Sequence, residues 1–408
     1  MTHSESSILK IMSLPSVGRK TAFKLLNELT YSISSYVDLI DFVKENSKLI
    51  RNQLSDAEIR KAFDNAENII ERSEKAEIKL IGYSNSEFPT LLKGIDDAPL
   101  LLSIKGPYSI LNQMPSVAII GTRAPSDYGY KVGIRLGEVF GEAGFNVISG
   151  LAIGCDTAGH TGCLNRGGIT TAVLAHGLDT IYPKENKPLA AKILDEGGLL
   201  VSEYLIGQRS QPSYFVERDR IQAGMSQAVI VVETDIKGGT MHTVKFAANN
   251  KRIVAAFNHD AKYLFHPKTQ GNQYLIKNKT ARPLSDPASI DALKATLLDL
   301  SGYVLPIKPL ATTQTPVIHP IVDTKPINNE LPINPEKDKI VAATSKKKAS
   351  SSAKVKAETT VTKKASSSAK VKVETTVTKK DFDGKKTTKP NTGKKTKKAI
   401  GQYKLEFS

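Results

Sequence analysis

Residues 117–120, Val-Ala-Ile-Ile, run without a polar break into Gly121 and a polar turn, and an amphipathic stretch over residues 128–142 follows. A short apolar run rich in β-branched residues that passes through a glycine turn into a helical pattern reads as a parallel strand, covered on both faces, followed by its crossover helix. The same text recurs at residues 145–148, 170–174, 199–201, 228–232 and 253–256, with helix-capable segments between them. Strands alternating with helices in this way constrain the chain to the α/β class, with a doubly wound, mostly parallel sheet. In such sheets a ligand sits beyond the carboxyl ends of the strands. Those ends carry Gly121-Thr122-Arg123, Ser149-Gly150-Leu151-Ala152, His176-Gly177, Glu203 and Glu233, so glycines and polar residues collect where a site is expected.

The first of these turns narrows the ligand class. A dinucleotide fingerprint needs a second glycine two residues after the first, where backbone must touch a pyrophosphate, and Arg123 holds that place. Arginine in a loop at a helix start suits an isolated phosphate or a nucleic-acid backbone better than a coenzyme. Lys237-Gly238-Gly239-Thr240 follows the fifth strand-like run, which puts bare amides and a hydroxyl at a helix N-terminus, a ready anion cradle. Arg218-Asp219-Arg220-Ile221 falls at the mouth of another helix. A phosphate-lined pocket follows if the strand order gathers Arg123, Arg218, Arg220 and Lys237; otherwise these charges are scattered over the rim. In residues 149–160, three glycines permit a tight loop and a close helix start, and Asp156 and His160 lie four apart on one helix face. That pair reads as a hydrogen-bonded brace for the loop, with an acid–base pair lacking a nucleophile as the alternative. No further His or Cys stands at ligand spacing, so neither a metal site nor a cofactor is expected.

The flanks read differently. Residues 1–75 form a small helical domain, with Ile8, Leu9, Ile11, Met12, Phe23, Leu25 and Leu26 at helical spacing. Within it, Leu14-Pro15-Ser16-Val17-Gly18-Arg19-Lys20-Thr21-Ala22 resembles a helix-hairpin-helix turn, in which a glycine lets backbone approach a DNA phosphate, although Ser16 stands where a first glycine is usual. A connector that packs on the core is the other reading. Residues 76–300 hold the sheet, and their opening, residues 78–106, is expected to lay extra strands or a strap against it. Residues 301–408 carry 23 Lys, no Arg and 9 acidic residues, so +14 of the chain's +16 belongs to this tail. Seven prolines in residues 305–335 read as a linker. Residues 347–362 then recur as 363–378 with one change, Ala357 to Val373. A repeat of Lys, Ser and Thr cannot bury a core, so it is expected to be disordered and either to attract a polyanion or to serve solubility. Residues 403–407 add a small apolar cluster that reads as a docking peptide. Cys155 and Cys163, eight apart on one helix and so about 12 Å apart along it, cannot bridge. The chain offers neither a basic start before an apolar run nor about 18 apolar residues in succession, so a cytoplasmic protein is expected, without a membrane span.

Taken in order, Gly121-Thr122-Arg123, Tyr128-Gly129, Ser149 to Ala152, Gly154-Cys155-Asp156, His160, Gly177-Leu178-Asp179, Tyr182-Pro183, Ser202-Glu203, Arg218 to Ile221, Ala223-Gly224 and Gly238 to Thr243 resemble the DNA-processing protein A (DprA, or Smf) family. So do Phe88-Pro89, Leu92, Pro99 and Lys105-Gly106 before the sheet, and Gly271-Asn272 with Leu275-Ile276 after it. The resemblance implies an extended Rossmann-like fold in a non-enzymatic, homodimeric protein that binds single-stranded DNA and loads the RecA recombinase during natural transformation. Position by position, it implies a basic strand-binding pocket from Gly121, Thr122, Arg123, Ser149, Gly150, Lys237, Gly238, Gly239 and Thr240, with Arg218 and Arg220 lining or bracing it and Asp156, His160 and Glu233 in support. The chain departs from the family's pattern at Thr122 and Gly238, each in place of serine, at Asp219 in place of asparagine, and at Asn258-His259 in place of Pro-Gly. The family's frequent C-terminal winged helix is not visible.

With no Trp, 12 Phe and 13 Tyr, phosphate contacts are expected to outweigh base stacking. The rival reading is a nucleotide-processing enzyme. Gly238-Gly239-Thr240 resembles the loop of the phosphoribohydrolases, but a carboxylate is needed three places after the threonine and Thr243 stands there, which leaves Glu233 and Glu203 as candidates. A nucleotide-sensing relative of the fold is a third class.

Overall fold

The computed structural model describes residues 3–301; the proline-rich linker, the repeat and the residue 403–407 cluster lie outside the described residues. The chain opens with four helices, α1 (Glu5–Met12), α2 (Arg19–Glu28), α3 (Tyr36–Glu45) and α4 (Asp56–Lys75). Capping boxes start the last two, Ser35 with Asp38 and Ser55 with Glu58, each satisfying two amides that a helix start leaves bare. Next come β1 (Lys79–Gly82), the one-turn α5 (Thr90–Lys93), β2 (Leu101–Lys105) and the one-turn α6 (Ile110–Gln113). The α/β core follows as β3 (Ser116–Ile120), α7 (Asp127–Glu142), β4 (Asn146–Ser149), α8 (Cys155–Leu164), β5 (Thr170–Leu174), α9 (Lys187–Asp195) and β6 (Leu199–Ser202). It continues through α10 (Pro212–Gly224), β7 (Ala228–Val231), α11 (Thr240–Asn249), β8 (Ile253–Phe257), α12 (Gln270–Lys277), β9 (Arg282–Leu284) and α13 (Pro287–Ser301).

The nine strands form one sheet in the order β1-β2-β6-β5-β4-β3-β7-β8-β9. All six expected strands are present and mutually parallel, and strands β3 to β7 are buried along their whole length, as apolar runs covered by helices on both faces must be. The segment before them supplies β1 and β2, which pair antiparallel and extend the edge beyond β6. A seventh parallel strand, β9, was not legible in the sequence: Arg282-Pro283-Leu284 is too short and too exposed to show a pattern, and it is held by pairing with β8. From β3 the chain steps to β4, β5 and β6 on one side, then returns to β7 and β8 on the other. The winding therefore reverses between β3 and β7, where crevices open in doubly wound sheets.

The N-terminal helices share one core with the sheet: Ile8, Leu25, Phe42 and Ile59 belong to the same apolar cluster as Leu80, Leu174 and Leu200. Arg19 adds a polar tie, 3.3 Å from Glu203 at the end of β6. In the turn before α2, Ser16 takes φ +62°, the left-handed conformation that explains a glycine there in the family's pattern. Gly18 starts α2 without a side-chain cap.

Both cysteines are buried and unpaired on α8. That helix crosses α7 unusually closely, because small residues face each other. A Cβ at Gly162 would press into the Ile134 carbonyl, and one at Gly137 into the Gly159 carbonyl. Backbone cannot retreat as a flexible side chain can, so Gly162→Ala is expected to lower stability by about 1–3 kcal/mol. A urea midpoint that does not move would contradict this close packing.

Candidate functional site

Beyond the carboxyl ends of β3 and β7 lies a recess of about 390 Å³. Its walls are the turn Gly121-Thr122-Arg123, the α10 face carrying Phe215, Arg218, Asp219 and Gln222, and the start of α11 with Gly238, Gly239, Thr240, His242 and Thr243. A smaller recess of about 70 Å³ adjoins it through Arg123, Ala152, Phe215 and Arg218, and opens past Gly150, Ile153 and Tyr182. Switch-point geometry thus brings together the first turn and the α11 cradle, over 100 residues apart in sequence.

The turn is fixed by Glu233, just after β7. Its carbonyl accepts the Thr122 amide at 2.8 Å, and its buried carboxylate accepts the Ser126 amide at 2.8 Å and the Ser126 hydroxyl at 2.6 Å. The His259 imidazole lies 3.5 Å away. Burial alone would raise the Glu233 carboxyl, but bonding to His259 and Ser126 outweighs it and holds the group below its ordinary value. Held from both ends, the turn leaves Arg123 exposed at the rim with its guanidinium 5.1 Å above the Phe215 ring. Among the described residues, Arg123 has no carboxylate within ion-pair distance.

The opposite wall is the N-terminus of α11, which begins at Thr240 with no side-chain cap on Gly239. The Met241 and His242 amides already donate to the Gly238 and Gly239 carbonyls, so among the described residues the amides of Gly239 and Thr240, with the helix dipole, give that wall its positive field. Thr234, which leads into it, is pinned by Asn272: the Asn272 Oδ1 accepts the Thr234 amide at 3.0 Å, while Nδ2 donates to the Val232 and Phe257 carbonyls, each at 3.0 Å.

The floor comes from the residue 149–156 loop. Leu151 sits at φ +59°, costly for a β-carbon residue. Asp156 offsets this by accepting the Gly150 amide at 3.0 Å and the Ala152 amide at 3.4 Å, and Asn186 donates to the Leu151 carbonyl at 2.8 Å. Asp156 and His160 are therefore not bonded to each other as the sequence suggested. His160 reaches across to the Thr170 hydroxyl at 2.6 Å, and burial lowers its pKa to about 3, so the ring is neutral and not an acid–base partner.

Four of the expected site residues do not line the larger recess. Ser149 is buried with its hydroxyl donating to the Ile119 carbonyl at 2.7 Å, so it braces two strands and does not face a ligand. Gly150 borders the smaller recess, but its amide is already used by Asp156 and its Cα lies under the Arg218 guanidinium. Arg220, only 2 % exposed, grips Glu203 at 2.6 Å and Asp97 at 3.3 Å on another face of α10 and takes no part in the recess. Residues two apart on a helix diverge, so Arg218 and Arg220 cannot line one pocket. Arg218 does line it, but as a buried brace, donating to the Val173 carbonyl at 2.7 Å and lying 3.3 Å from Asp219. Lys237 is exposed on the approach loop and is not part of the wall. Conversely, Phe215 and Tyr182 were missed. Their rings lie 5.8 Å apart beside Arg123, and Tyr182 is 49 % exposed. Spacing held the signal for Phe215, which is three residues before Arg218 and so shares its face.

The family profile of DNA recombination-mediator protein A matches residues 79–293, more than half of the chain. The chain belongs to that family. The DNA processing protein DprA of Streptococcus pneumoniae is 40 % identical over 169 residues, covering 41 % of this chain and 59 % of that protein. Protein Smf of Synechocystis is 39 % identical over 171 residues, covering 41 % of this chain and 43 % of that protein. These matches span about half the length of those relatives. The X-ray structure of the Streptococcus pneumoniae DprA superposes with a TM-score of 0.59 at 29 % identity, covering 72 % of this chain and 98 % of that one. Against the DprA/Smf pattern, two departures acquire structural meaning: Asp219 is paired with Arg218, and His259 fills the space beside Glu233.

Removing the Glu233 carboxylate should loosen the turn. Glu233→Ala is expected to cost about 2–3 kcal/mol at pH 7, because buried donors lose their acceptor. The folded-state value lies below the ordinary 4.5, so this stabilisation is present above that pH and fades as pH falls through the folded value. Urea unfolding at pH 7 and below pH 4 checks both points; an equal difference at the two pH values would contradict the assigned cause.

Proposed function

We propose that this chain is a single-stranded-DNA-binding member of its family that protects incoming DNA and loads the RecA recombinase onto it during natural transformation, acting in the cytoplasm as a homodimer and without catalysis. The observation that carries the reading is the placement of Arg123 over Phe215 at the mouth of a recess whose far wall is the uncapped start of α11. An arginine and a helix N-terminus suit backbone phosphates. Phe215 and exposed Tyr182 offer faces on which unpaired bases can stack, a contact worth about 1–3 kcal/mol per base and open only to single strands. Stacking therefore shares the work with phosphate contact, contrary to the expectation from composition. The family's description as a recombination mediator agrees with this role. Among the described residues no helix is long and apolar enough to cross a membrane.

The rival hydrolase reading draws its carboxylate from Glu233 or Glu203. Glu233 is spent on Ser126 and His259, and Glu203 on Arg220 and Arg19. Neither faces the recess. The lysine-rich tail adds sequence-independent attraction for a polyanion.

Salt titration of oligothymidylate binding tests the division of labour. The full chain is expected to show a steeper log–log salt dependence than a chain ending at residue 301, by about 0.7 for each phosphate the tail neutralises. The shortened chain should still bind. Loss of all binding on removing the tail would overturn the pocket reading.

A further inference from the structure

The recess proposed to seat phosphate carries more negative charge than such a seat should. Arg123 and Arg218 on its wall are opposed by Asp156, Asp219 and Asp235. Two of these carboxylates are occupied. Asp235 pairs with Lys268 at 2.9 Å, and Asp156 is bound to the amides of its own loop. Asp219 is held less completely, by an ion pair with the Arg218 Nε at 3.3 Å that is not a hydrogen bond; it stands where the DprA/Smf pattern has a neutral asparagine, and it lines the recess an incoming phosphate would enter.

We propose that Asp219 makes phosphate capture in this recess proton-linked, so that seating a strand draws one proton from solution onto its carboxylate and the site holds DNA more tightly as the pH falls. The inference rests on the single-strand-binding reading above. The groups facing Asp219 can be named element by element. On α10, Arg218 lies 3.3 Å away and Gln222 can turn its amide nitrogen to within 3.3 Å. From the first turn comes Arg123, from α8 comes Asp156, and from α11 come the hydroxyl of Thr243 and the imidazole of His242.

The Arg218 Nε lies 3.3 Å from Asp219 without the alignment of a hydrogen bond, and Nη1 of the same guanidinium donates to the Val173 carbonyl instead. Burial, the largest influence, pushes the Asp219 carboxyl up to about 6; Arg218, Thr243 and Arg123 pull it down less strongly, and Asp156 raises it. A phosphate placed beside this carboxylate adds a second negative charge and drives the proton uptake further. The protonated acid keeps the shape of the family's asparagine and gains a donor hydrogen. By linkage, a group whose proton affinity rises on binding makes binding stronger at lower pH, up to about tenfold per pH unit.

The test is the binding of a labelled oligothymidylate to the full chain between pH 5.5 and 8 at fixed ionic strength. Thymine and the phosphodiester do not titrate in this window, so the slope belongs to the protein. The wild-type affinity is expected to weaken about fivefold to tenfold from pH 6 to pH 7.5. Asp219→Asn should flatten most of that slope and bind more tightly than wild type at pH 8. His242→Gln tests the imidazole on the same wall: a slope that persists in Asp219→Asn and vanishes in His242→Gln would overturn the proposal. So would an Asp219→Asn variant that binds more weakly than wild type at pH 8 while its thermal unfolding is unchanged. If Arg123→Glu leaves binding intact in a chain ending at residue 301, where the tail cannot mask the loss, the phosphate seat itself is wrong and the linkage falls with it. If Arg123 is required but the Asp219→Asn profile matches wild type, only the proton linkage fails.

Discussion

A buried carboxylate organises the mouth of this protein. Glu233 leaves the end of β7 at the point where the sheet reverses its winding, and it binds the Gly121–Ser126 turn through its backbone carbonyl and through its side chain. A carboxylate removed from water is tolerated only when its lone pairs are filled. The Ser126 amide and hydroxyl fill them, with His259 close by. The consequence is geometric: Arg123 is carried by a turn clamped to the neighbouring strand. Without the clamp, arginine on a glycine-containing turn would sample many positions and would lose entropy on binding an anion.

The rest of the site is built on the same principle, in which polar groups that face inward secure those that face outward. Asp156 and Asn186 support a left-handed Leu151, Asn272 pins Thr234, and Arg218 ties α10 to the end of β5. None of these side chains needs to touch a ligand. Together they set the separation between Arg123 and the first turn of α11, which decides whether one phosphate can meet both. The recess is thus a property of the switch point and its supporting residues more than of any single basic side chain.

Much of this was legible in the sequence, for physical reasons. Strands covered on both faces must be apolar throughout, so β3 to β8 announced themselves, whereas β9 depends on pairing with β8 and left no trace. Arg123 was conspicuous because it occupies a place where a coenzyme-binding turn needs bare backbone. Arg220 misled because proximity in sequence is not proximity on a helix; its two-residue offset from Arg218 sends it to Glu203. The same geometry, applied backwards from Arg218, points to Phe215. Asp156 and His160 share a helix face, but each found a stronger partner across the fold, a tertiary contact that local spacing does not encode.

The central claim is that Arg123 and the α11 amides form one seat for a DNA phosphate. The most direct measurement is the affinity of a chain ending at residue 301, with and without Arg123→Glu, for a short oligothymidylate at low salt. The account predicts a loss of about tenfold or more, since a charge-assisted contact is replaced by repulsion, with thermal unfolding unchanged because Arg123 is exposed. Equal affinity for the two proteins would contradict it.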